Sequence, residues 1–238
     1  MRELEDLEAE YPEFRSPDSP SAKVGSDLRG AKASGGFVQR AHRYPMLSLS
    51  NTYSLSEIED FARRADKLLG TDSFSYSCEL KFDGTAICLS YKDGRLVRAL
   101  TRGDGLQGDD ITANALKISN IPHRLKGDFP PEFEIRGEVL MPYAAFEELN
   151  REREELGDAP FANPRNAASG SLKLLDPEEV AHRGLWCTLY HIPAESVEFA
   201  SHSEALDAAA SWGLPVSEHR RICKDINDIE AYIRKWDK

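Results

Sequence analysis

The sequence predicts an α+β fold in which antiparallel sheets are flanked by helices. Strand-like segments come in hairpins: residues 85–101 contain two alternating apolar stretches joined at Asp93-Gly94, a dipeptide favoured by tight hairpin turns. Helical segments separate groups of strands and do not follow every strand, which argues against a doubly wound parallel sheet. A chain of 238 residues with 40% hydrophobic and 30% charged residues has the composition of a globular protein.

The first 36 residues predict little compact structure. Residues 1–10 are helical in character, with Leu4 and Leu7 on one side. Residues 11–36 are rich in Pro, Ser and Gly and lack apolar periodicity, so we interpret them as a connecting segment. Because a helix this short is marginal without a packing partner, we expect the start of the chain to belong to a larger helical unit.

Regular elements are predicted from about residue 37 onward. Ser54 and Glu57 form a capping box, an apolar stripe follows, and Gly70 ends the predicted helix. The later elements are predicted in this order: a strand at 74–80, the hairpin at 85–101, a strand at 133–141, helices at 143–156 and 166–175, a strand at 185–192, a helix at 203–212, and a last helix capped by Asp225.

Composition and charge restrict the class of function. The net charge of −11 argues against a protein that coats DNA non-specifically, because that kind of affinity comes from Lys and Arg at phosphates. No apolar run approaches membrane-spanning length and the first residues lack the layout of a signal peptide, so a cytoplasmic protein is expected. The four cysteines are widely spaced, which favours reduced thiols over disulfides or a metal site.

The segment ELKFDG (79–84) contains a candidate nucleophile. Lys81 lies at the end of a predicted strand and is followed by x-Asp-Gly, which places an amine at the lip of a pocket while the chain turns away. A lysine acts as a nucleophile when burial or nearby cations favour its neutral form. The alternative interpretation is a surface lysine that enters an ordinary turn, and KxDG alone does not decide between the two.

Two further groups of polar residues indicate a site. Glu134, Arg136 and Glu138 alternate in one predicted strand and therefore point to one face. Placed opposite the strand of Lys81, this face would form the polar floor of a pocket, whereas a solvent-facing charge ladder is the alternative. Arg165 lies near a predicted helix start, where free backbone N–H groups favour an anion, although simple helix capping also explains this segment.

Together with its surroundings, the ELKFDG segment resembles the adenylation domain of the NAD-dependent, bacterial-type DNA ligases. The resemblance runs from residue 11 to about residue 236. Five segments match family blocks in order: YPMLSLSNTY (44–53), ELKFDG (79–84), TRGDGLQGDDITAN (101–114), EIRGEVLMP (134–142) and FANPRNAASGSLKLLDP (161–177). The resemblance implies a nucleotidyltransferase fold of ATP-grasp-like architecture over residues 37–238. Before it, residues 1–36 would be a linker and a remnant of the helical domain that binds nicotinamide mononucleotide (NMN).

The resemblance also implies a reaction. Lys81 would attack the α-phosphate of NAD, release NMN and hold AMP, with Mg²⁺ or Mn²⁺ as metal cofactor and with no protein ligand assigned to the metal. AMP would pass to the 5′-phosphate of a nick in duplex DNA, and the 3′-hydroxyl would then displace it. The implied site residues are Lys81 and Asp83 for catalysis, Ser48, Leu49, Glu79, Arg102 and Glu138 for nucleotide binding, and Arg165 and Lys173 for the DNA backbone. Family members more often carry arginine at the position of Lys173, so the forked donor geometry is lost there while the charge remains.

The sequence departs from the family at both ends. Met1 matches the middle of the NMN-binding domain, and the chain stops at Lys238, before a DGVVIK strand and a later lysine motif of the family. The resemblance therefore implies a piece of a longer, monomeric enzyme that is poorly active or inactive alone with NAD.

Two other functions are also compatible with the sequence. An ATP-dependent ligase or a capping-type nucleotidyltransferase shares the KxDG chemistry, but the NPRNAASGSL segment resembles the NAD-dependent group. The second is a non-catalytic DNA-binding module on the same fold. Such a module would have lost the catalytic residues, and the presence of Lys81, Asp83 and Gly84 argues against that loss.

Overall fold

The computed structural model describes Tyr11, residues 36–71 and residues 73–236. Its elements are, in chain order, β1 (Gln39–Ala41), α1 (Leu55–Leu69), β2 (Tyr76–Glu79), β3 (Thr85–Lys92), β4 (Arg95–Thr101), β5 (Gln107–Asp109), α2 (Thr112–Ala115), β6 (Glu132–Leu140), α3 (Tyr143–Glu155), α4 (Pro164–Leu172), α5 (Pro177–Ala181), β7 (Trp186–His191), α6 (His202–Ser211), β8 (Arg220–Cys223) and α7 (Ile226–Trp236). The helix expected at 1–10 and most of the connecting segment expected at 11–36 lie outside the described residues.

The main sheet has four antiparallel strands in the order β4-β3-β6-β7. Asp93 and Gly94 both take positive φ angles, 49° and 70°, and join β3 to β4 in the expected hairpin. Two further pairs, β1 with β5 and β2 with β8, are also antiparallel. The predicted combination of helices with antiparallel sheets is therefore confirmed.

Helix α1 has the ends that the sequence predicts. The Glu57 N–H donates a hydrogen bond to Ser54 Oγ at 3.3 Å, and Gly70 ends the helix in the left-handed region with φ of 66°. Like every other helix that the structure describes, α1 is too short or too polar to cross a membrane.

Helix α4 begins earlier than its sequence pattern predicts. Its first residue is Pro164, because proline suits the first helical turn and the Asn163 side chain caps it by accepting a hydrogen bond from the Asn166 N–H at 2.8 Å. The capping interpretation of this segment is therefore confirmed for Asn163. The helix ends at Leu172, before the predicted boundary at residue 175.

The sequence does not predict β1, β5, α2, α5 and β8. Each of these elements spans three to five residues. So few residues do not develop a hydrophobic period, and their conformation depends on partners far away in the chain.

The main hydrophobic core lies on the four-stranded sheet. Ile87, Leu89, Ile135 and Leu189 are fully buried in it. They occupy alternate positions of the central strands and of β7, which is the pattern expected for a sheet that is covered by helices on one face.

A smaller core lies beside β2 and β8. Its buried residues are Cys223, Ile229 and Tyr232, and Leu80 packs against them together with Ile58 of α1. The chain leaves this smaller core after Leu80 and then enters β3 of the main sheet. The ELKFDG segment therefore connects the two cores.

Candidate functional site

A cavity of about 940 Å³ lies where the main sheet, helix α4 and the ELKFDG segment meet. Its walls also include the loop after β4 and an extended segment at 44–49. The predicted site residues that line it are Ser48, Leu49, Lys81, Asp83, Arg102, Glu138, Arg165 and Lys173. One cavity thus brings together residues from five separate segments of the sequence, while the role of each residue stays a prediction.

Glu79 is the one predicted site residue that does not line this cavity. Its Oε1 accepts hydrogen bonds from His202 Nε2 at 2.8 Å and from Ser77 Oγ at 2.9 Å. His202 does line the cavity. The carboxylate of Glu79 therefore stands behind the imidazole of His202.

The floor of the cavity is one face of β6. Arg136 and Glu138 are two residues apart on this strand and both line the cavity, as strand alternation predicts. Glu134 lies further along the same face, is 8% exposed and accepts a hydrogen bond from Ser90 Oγ at 3.2 Å, so a solvent-facing charge ladder is excluded. The strand before Lys81 is not a neighbour of β6 in the sheet: β6 pairs with β3 and β7, whereas β2 pairs with β8. Lys81 nevertheless lines the same cavity as the β6 face.

Glu138 is surrounded by cations that come from different parts of the chain. Burial raises the pKa of its carboxyl above the ordinary value, and the charges of Lys81, Arg165 and Arg102 oppose that rise, as does the N–H of Gly84. The effect of desolvation on the pKa of Glu138 is larger than the opposing effect of these positive charges. All three cations nevertheless stand close enough to Glu138 to act on the same carboxylate.

Gly84 allows the ELKFDG segment to lie directly against β6. A Cβ added at this position would stand 2.2 Å from the carbonyl oxygen of Val139, far inside van der Waals contact. Only glycine fits this approach without moving the backbone. The glycine of the x-Asp-Gly turn is therefore explained by close packing, and this packing fixes the turn that follows Lys81.

Two cations of the cavity are paired with carboxylates. Arg165 Nη1 donates to Asp83 Oδ1 at 3.1 Å, and both side chains are largely exposed. Lys173 Nζ lies 3.2 Å from Oδ2 of Asp109, whose side chain is only 2% exposed. The exposed pair is weak and open to exchange with an anionic ligand, whereas the buried carboxylate holds Lys173 at the end of α4.

Arg102 lies in the glycine-rich loop between β4 and β5. Gly103 and Gly105 take φ angles of 56° and 93°, in the left-handed region that favours glycine. His42 Nε2 is 3.0 Å from the carbonyl oxygen of Arg102 and fixes the start of the loop. The glycines are thus required by the tight turn, and the same turn presents Arg102 to the cavity.

The extended segment at 44–49 forms one wall of the cavity. Arg136 Nη2 donates a hydrogen bond to the carbonyl oxygen of Tyr44 at 2.8 Å, and the Met46 N–H donates to the glycine-rich loop at 2.8 Å. These contacts attach the segment both to the cavity floor and to the loop that carries Arg102. Leu49 on this segment is 76% exposed, so it has apolar surface available for a ligand.

Sequence patterns do not predict the contribution of β7 to the cavity. The register between β6 and β7 shifts beside Arg136, which pairs with His191, and Tyr190 is the extra residue. Because of this bulge, Tyr190 and His191 both line the cavity, although neighbouring residues of a regular strand point to opposite faces. Burial raises the pKa of Tyr190 to about 12, with the charge of Glu138 adding to the rise. A bulge interrupts alternation and therefore has no pattern of its own in a single sequence.

The cavity combines a primary amine, several guanidinium and ammonium groups, and an aromatic wall. Such a set of groups suits a ligand that has phosphates at one end and a planar ring at the other. Among the described residues, no group of three or more metal-ligating side chains comes together. A metal ion at this site would therefore take most of its ligands from a bound molecule and from water.

Comparison with known proteins gives two family matches. Residues 34–238 match the family described as NAD-dependent DNA ligase adenylation domain, and residues 1–25 match the DNA ligase-like, N-terminal NAD+-binding domain. The chain is 52% identical to a DNA ligase of Parabacteroides distasonis, 49% to one of Phocaeicola vulgatus and 44% to one of Flavobacterium johnsoniae. Each of these alignments covers 100% of the chain and 35% of the relative, so the chain spans about a third of their length.

Proposed function

The chain belongs to the family of NAD-dependent DNA ligases, and we propose on that basis that its large cavity is the centre at which such a ligase is charged with AMP. The single observation that carries the proposal is the position of Lys81, which lines one cavity together with Arg102, Arg165 and Lys173. A nucleophilic amine among cations suits attack on a phosphoanhydride, because the equatorial oxygens of the transferred phosphoryl group carry negative charge.

The proposed charging step is a displacement at phosphorus. The neutral Nζ of Lys81 forms a bond to the α-phosphorus of NAD, the bond from that phosphorus to the oxygen of NMN breaks, and the amine proton passes to solvent. The enzyme then holds AMP through a P–N bond. Arg102 supports the ribose and phosphate side, and Glu138 accepts hydrogen bonds from the ribose hydroxyls.

The nucleotide is proposed to lie between the floor of β6 and the segment at 44–49. Ser48 and Leu49 contact it from that segment, while Glu79 acts at the base end through His202. The fold that provides this arrangement is proposed to be of the nucleotidyltransferase, ATP-grasp-like kind, with residues 37–238 forming the adenylation domain. Residues 1–36 are proposed to be a linker and part of the NMN-binding domain.

Nicked duplex DNA is the proposed acceptor of AMP. An oxygen of the 5′-phosphate attacks the phosphorus of the lysine-bound AMP, and the amine of Lys81 leaves. The 3′-hydroxyl then attacks the activated phosphate and AMP departs. Arg165 and Lys173 are the proposed contacts to the DNA backbone, with Asp83 holding Arg165 until a phosphate replaces it. The protein is proposed to act as a monomer.

Mg²⁺ or Mn²⁺ is the proposed metal cofactor. The carboxylates of Asp83 and Glu138 line the cavity, and this donor set fits an ion that binds through one or two carboxylates, water and phosphate oxygens. When bound, the ion neutralises charge on the phosphate oxygens during transfer.

The test is adduct formation on Lys81. The protein is incubated with NAD and Mg²⁺, and its peptides are examined by mass spectrometry, with calorimetry of AMP binding as a measurement that does not depend on turnover. Because this chain is expected to be poorly active alone with NAD, we expect only a slow and partial AMP adduct on Lys81, its loss in Lys81→Ala, and an unchanged level of adduct in Lys92→Ala, an exposed lysine outside the cavity.

Three results would contradict the proposed function. One is an adduct on another residue. Another is an adduct that ATP supports faster than NAD does. The third is the absence of both adduct and AMP binding in a folded protein.

A further inference from the structure

We propose that three cations at the far end of the main sheet form a second contact for the phosphate backbone of duplex DNA, away from the nick. They are Lys92 at the end of β3, Arg95 at the start of β4 and Arg124 in the loop before β6, and together they form the cation row. This inference rests on the proposed function, because it extends the surface on which the proposed DNA substrate lies.

The cation row crosses three neighbouring segments of the chain at one level. Lys92 and Arg95 are paired across the turn of the β3–β4 hairpin, and Arg95 is paired with Arg124 in an isolated antiparallel bridge. The backbone hydrogen bonds of this bridge flank the pair on both sides, at 3.1 Å and 2.8 Å, so the pair itself is of the non-hydrogen-bonded kind. Residues paired in this way have Cα atoms about 4.5 Å apart and side chains on the same face of the sheet.

The positive charges of the cation row are not compensated by neighbouring carboxylates. Like charges directly opposite each other destabilise a sheet, and all three side chains are exposed. Within residues 36–71 and 73–236, none of the three forms an ion pair. Glu132 lies opposite Lys92 on β6 but pairs with Arg43 at 3.3 Å, and Asp93 in the hairpin turn adds one further negative charge. An excess of positive charge therefore faces solvent at this end of the sheet.

The cation row lies on the same face of the main sheet as the floor of the cavity. Ala86 lines the cavity, pairs with Glu138 and lies six residues before Lys92 on β3. Because side chains alternate along a strand, an even separation puts Ala86 and Lys92 on one face. Six residues of a strand span roughly 20 Å, and the phosphates of one DNA strand follow each other every 3.4 Å or so along the axis. A duplex with its nick at the cavity and its axis along β3 therefore reaches the row about six base pairs from the nick.

The shape of the cation row suits a phosphate backbone better than a small anion. The three charges are spread over roughly 10 Å in a line and do not converge on one point. Such a line matches the repeating charge of a DNA strand, and each neutralised phosphate releases counterions, which favours binding. Because the whole chain carries a net charge of −11, a duplex that extends beyond the cavity needs a local positive surface of this kind.

The test is a cycle between protein and DNA, measured by fluorescence anisotropy without NAD, so that only binding is observed. The first probe is a labelled duplex of about 24 base pairs with a central nick, in about 50 mM salt. The second probe has uncharged methylphosphonates in place of the phosphates about four to eight base pairs from the nick on both arms. We expect the wild-type chain to bind the second probe at least about tenfold more weakly, because the row loses the charges that it contacts.

The row variant is Lys92→Gln with Arg95→Gln and Arg124→Gln. It should bind the first probe at least about tenfold more weakly than the wild type, and it should bind the two probes within about twofold of each other. The plot of log affinity against log salt concentration should also become less steep, by roughly 2–3 in its slope, because three phosphate contacts are lost.

The matched control is Arg63→Gln with Arg64→Gln and Lys67→Gln. It removes the same charges, two arginines and one lysine, from exposed positions on α1, so the net charge changes equally. This control should bind the first probe within about threefold of the wild type. A control that loses as much affinity as the row variant overturns the inference, because net charge alone would then explain the loss.

Two further binding results overturn the inference: a wild-type chain that binds no nicked duplex, and one that binds both probes alike. Thermal unfolding at low salt provides the second measurement. The row variant should be at least as stable as the wild type, because like charges no longer face each other. A Tm below that of the matched control would show that the cations have partners within the chain, and it would overturn the DNA contact.

The outcomes separate this inference from the proposed function. Unchanged DNA binding by the row variant, in a protein whose wild type forms the adduct on Lys81, overturns the inference alone. A wild-type chain with neither adduct nor AMP binding overturns the proposed function, and the differences between probes and variants would then still support the contact between the cation row and DNA.

Discussion

The position of the candidate nucleophile, Lys81, depends on the absence of a side chain at residue 84. Glycine there leaves room for the carbonyl oxygen of Val139, and an added Cβ would meet that oxygen at 2.2 Å. Because the obstacle is backbone of a central strand, it has little freedom to move. The ELKFDG segment therefore keeps its path only while position 84 has no side chain.

We expect Gly84→Ala to lower the free energy of unfolding by about 1–3 kcal/mol, because overpacking against backbone forces the turn away from β6. It should also reduce formation of the AMP adduct, because Lys81 precedes this turn. Gly170→Ala is the matched control: its Cβ would meet only the Phe161 side chain, at 3.2 Å, in a helix where alanine is favoured. Denaturant unfolding and mass spectrometry measure both effects, and a Gly84→Ala protein indistinguishable from Gly170→Ala would contradict this account.

Glu138 predicts a pH dependence of stability. Its pKa is raised in the folded protein, chiefly by burial, so its ionisation costs stability as the pH rises through that value. Glu138→Gln removes the ionisation. We expect the variant to be more stable than the wild type at pH 7, with the difference vanishing as the pH falls below the ordinary glutamate value of about 4.3. Thermal unfolding from pH 3.5 to 7 measures this, and an advantage that persists at the lowest pH would count against burial as its source.

Residues of the candidate site differ in how far the sequence predicts them. Lys81, Asp83, Arg102 and Glu138 lie within continuous motifs, and the structure places all four in one cavity. The position of Glu79 behind His202 was not predicted, because the two residues are 123 positions apart. A hydrogen bond between such distant residues depends on the packing of α6 against the sheet, and no local pattern records it.

At the scale of elements, the edge of the main sheet is covered by a side chain. The amide of Asn120 hydrogen-bonds both backbone groups of Cys187 on β7, donating to the carbonyl at 2.6 Å and accepting from the N–H at 2.9 Å. One residue thus replaces part of a missing neighbouring strand and protects the edge. The bulge at Tyr190, which brings two side chains into the cavity, lies on the same strand.

We expect Asn120→Ala to destabilise the protein by about 1–3 kcal/mol, because both backbone groups of Cys187 lose their partner. Amide hydrogen exchange of β7 should accelerate, while that of β3 should change only with global stability. Asn120→Asp keeps the acceptor oxygen but loses the N–H donor. Its stability and its β7 exchange rate should therefore lie between those of the wild type and those of Asn120→Ala. Exchange measured by mass spectrometry provides the comparison, and unchanged exchange at Cys187 in Asn120→Ala would refute the role of this side chain.

Elements were predictable where a local pattern was long enough. The capping box of α1 and the Asp93-Gly94 hairpin both have strong local signals, and the structure confirms them. The partner of β2 was not predictable, because β8 is four residues long and its sequence, RRIC, carries two arginines. The antiparallel arrangement could thus be derived from the sequence, but the division into separate sheets could not.

At the scale of the whole molecule, the two hydrophobic cores differ in size. The smaller core has Cys223, Ile229 and Tyr232 as its buried residues, whereas the main core extends across four strands and several helices. Stability is distributed according to buried apolar surface, so the β2–β8 sheet should open more readily than the main sheet. This difference matters because Lys81 lies two residues after the end of β2.

We expect the amides of β2 and β8 to exchange faster than those of β3 and β6. Saturating AMP should slow the exchange of β2 and β8, because the nucleotide contacts Lys81 and binds only when this segment is in place. At a concentration 100 times Kd the protection should correspond to roughly 2.7 kcal/mol. Exchange that is uniform across both sheets, or unaffected by AMP, would contradict the division into two cores.

The attachment of Lys81 to the smaller core has a consequence for how members of this family diverge. Ile229 and Tyr232 lie outside the cavity lining, yet they pack beside β2, which ends two residues before Lys81. Substitutions in α7 should therefore change how long the Lys81 amine stays in position for attack, even where every nucleotide-contacting residue is unchanged. Orthologues with identical motifs are then expected to differ in speed, and the cause would lie in α7.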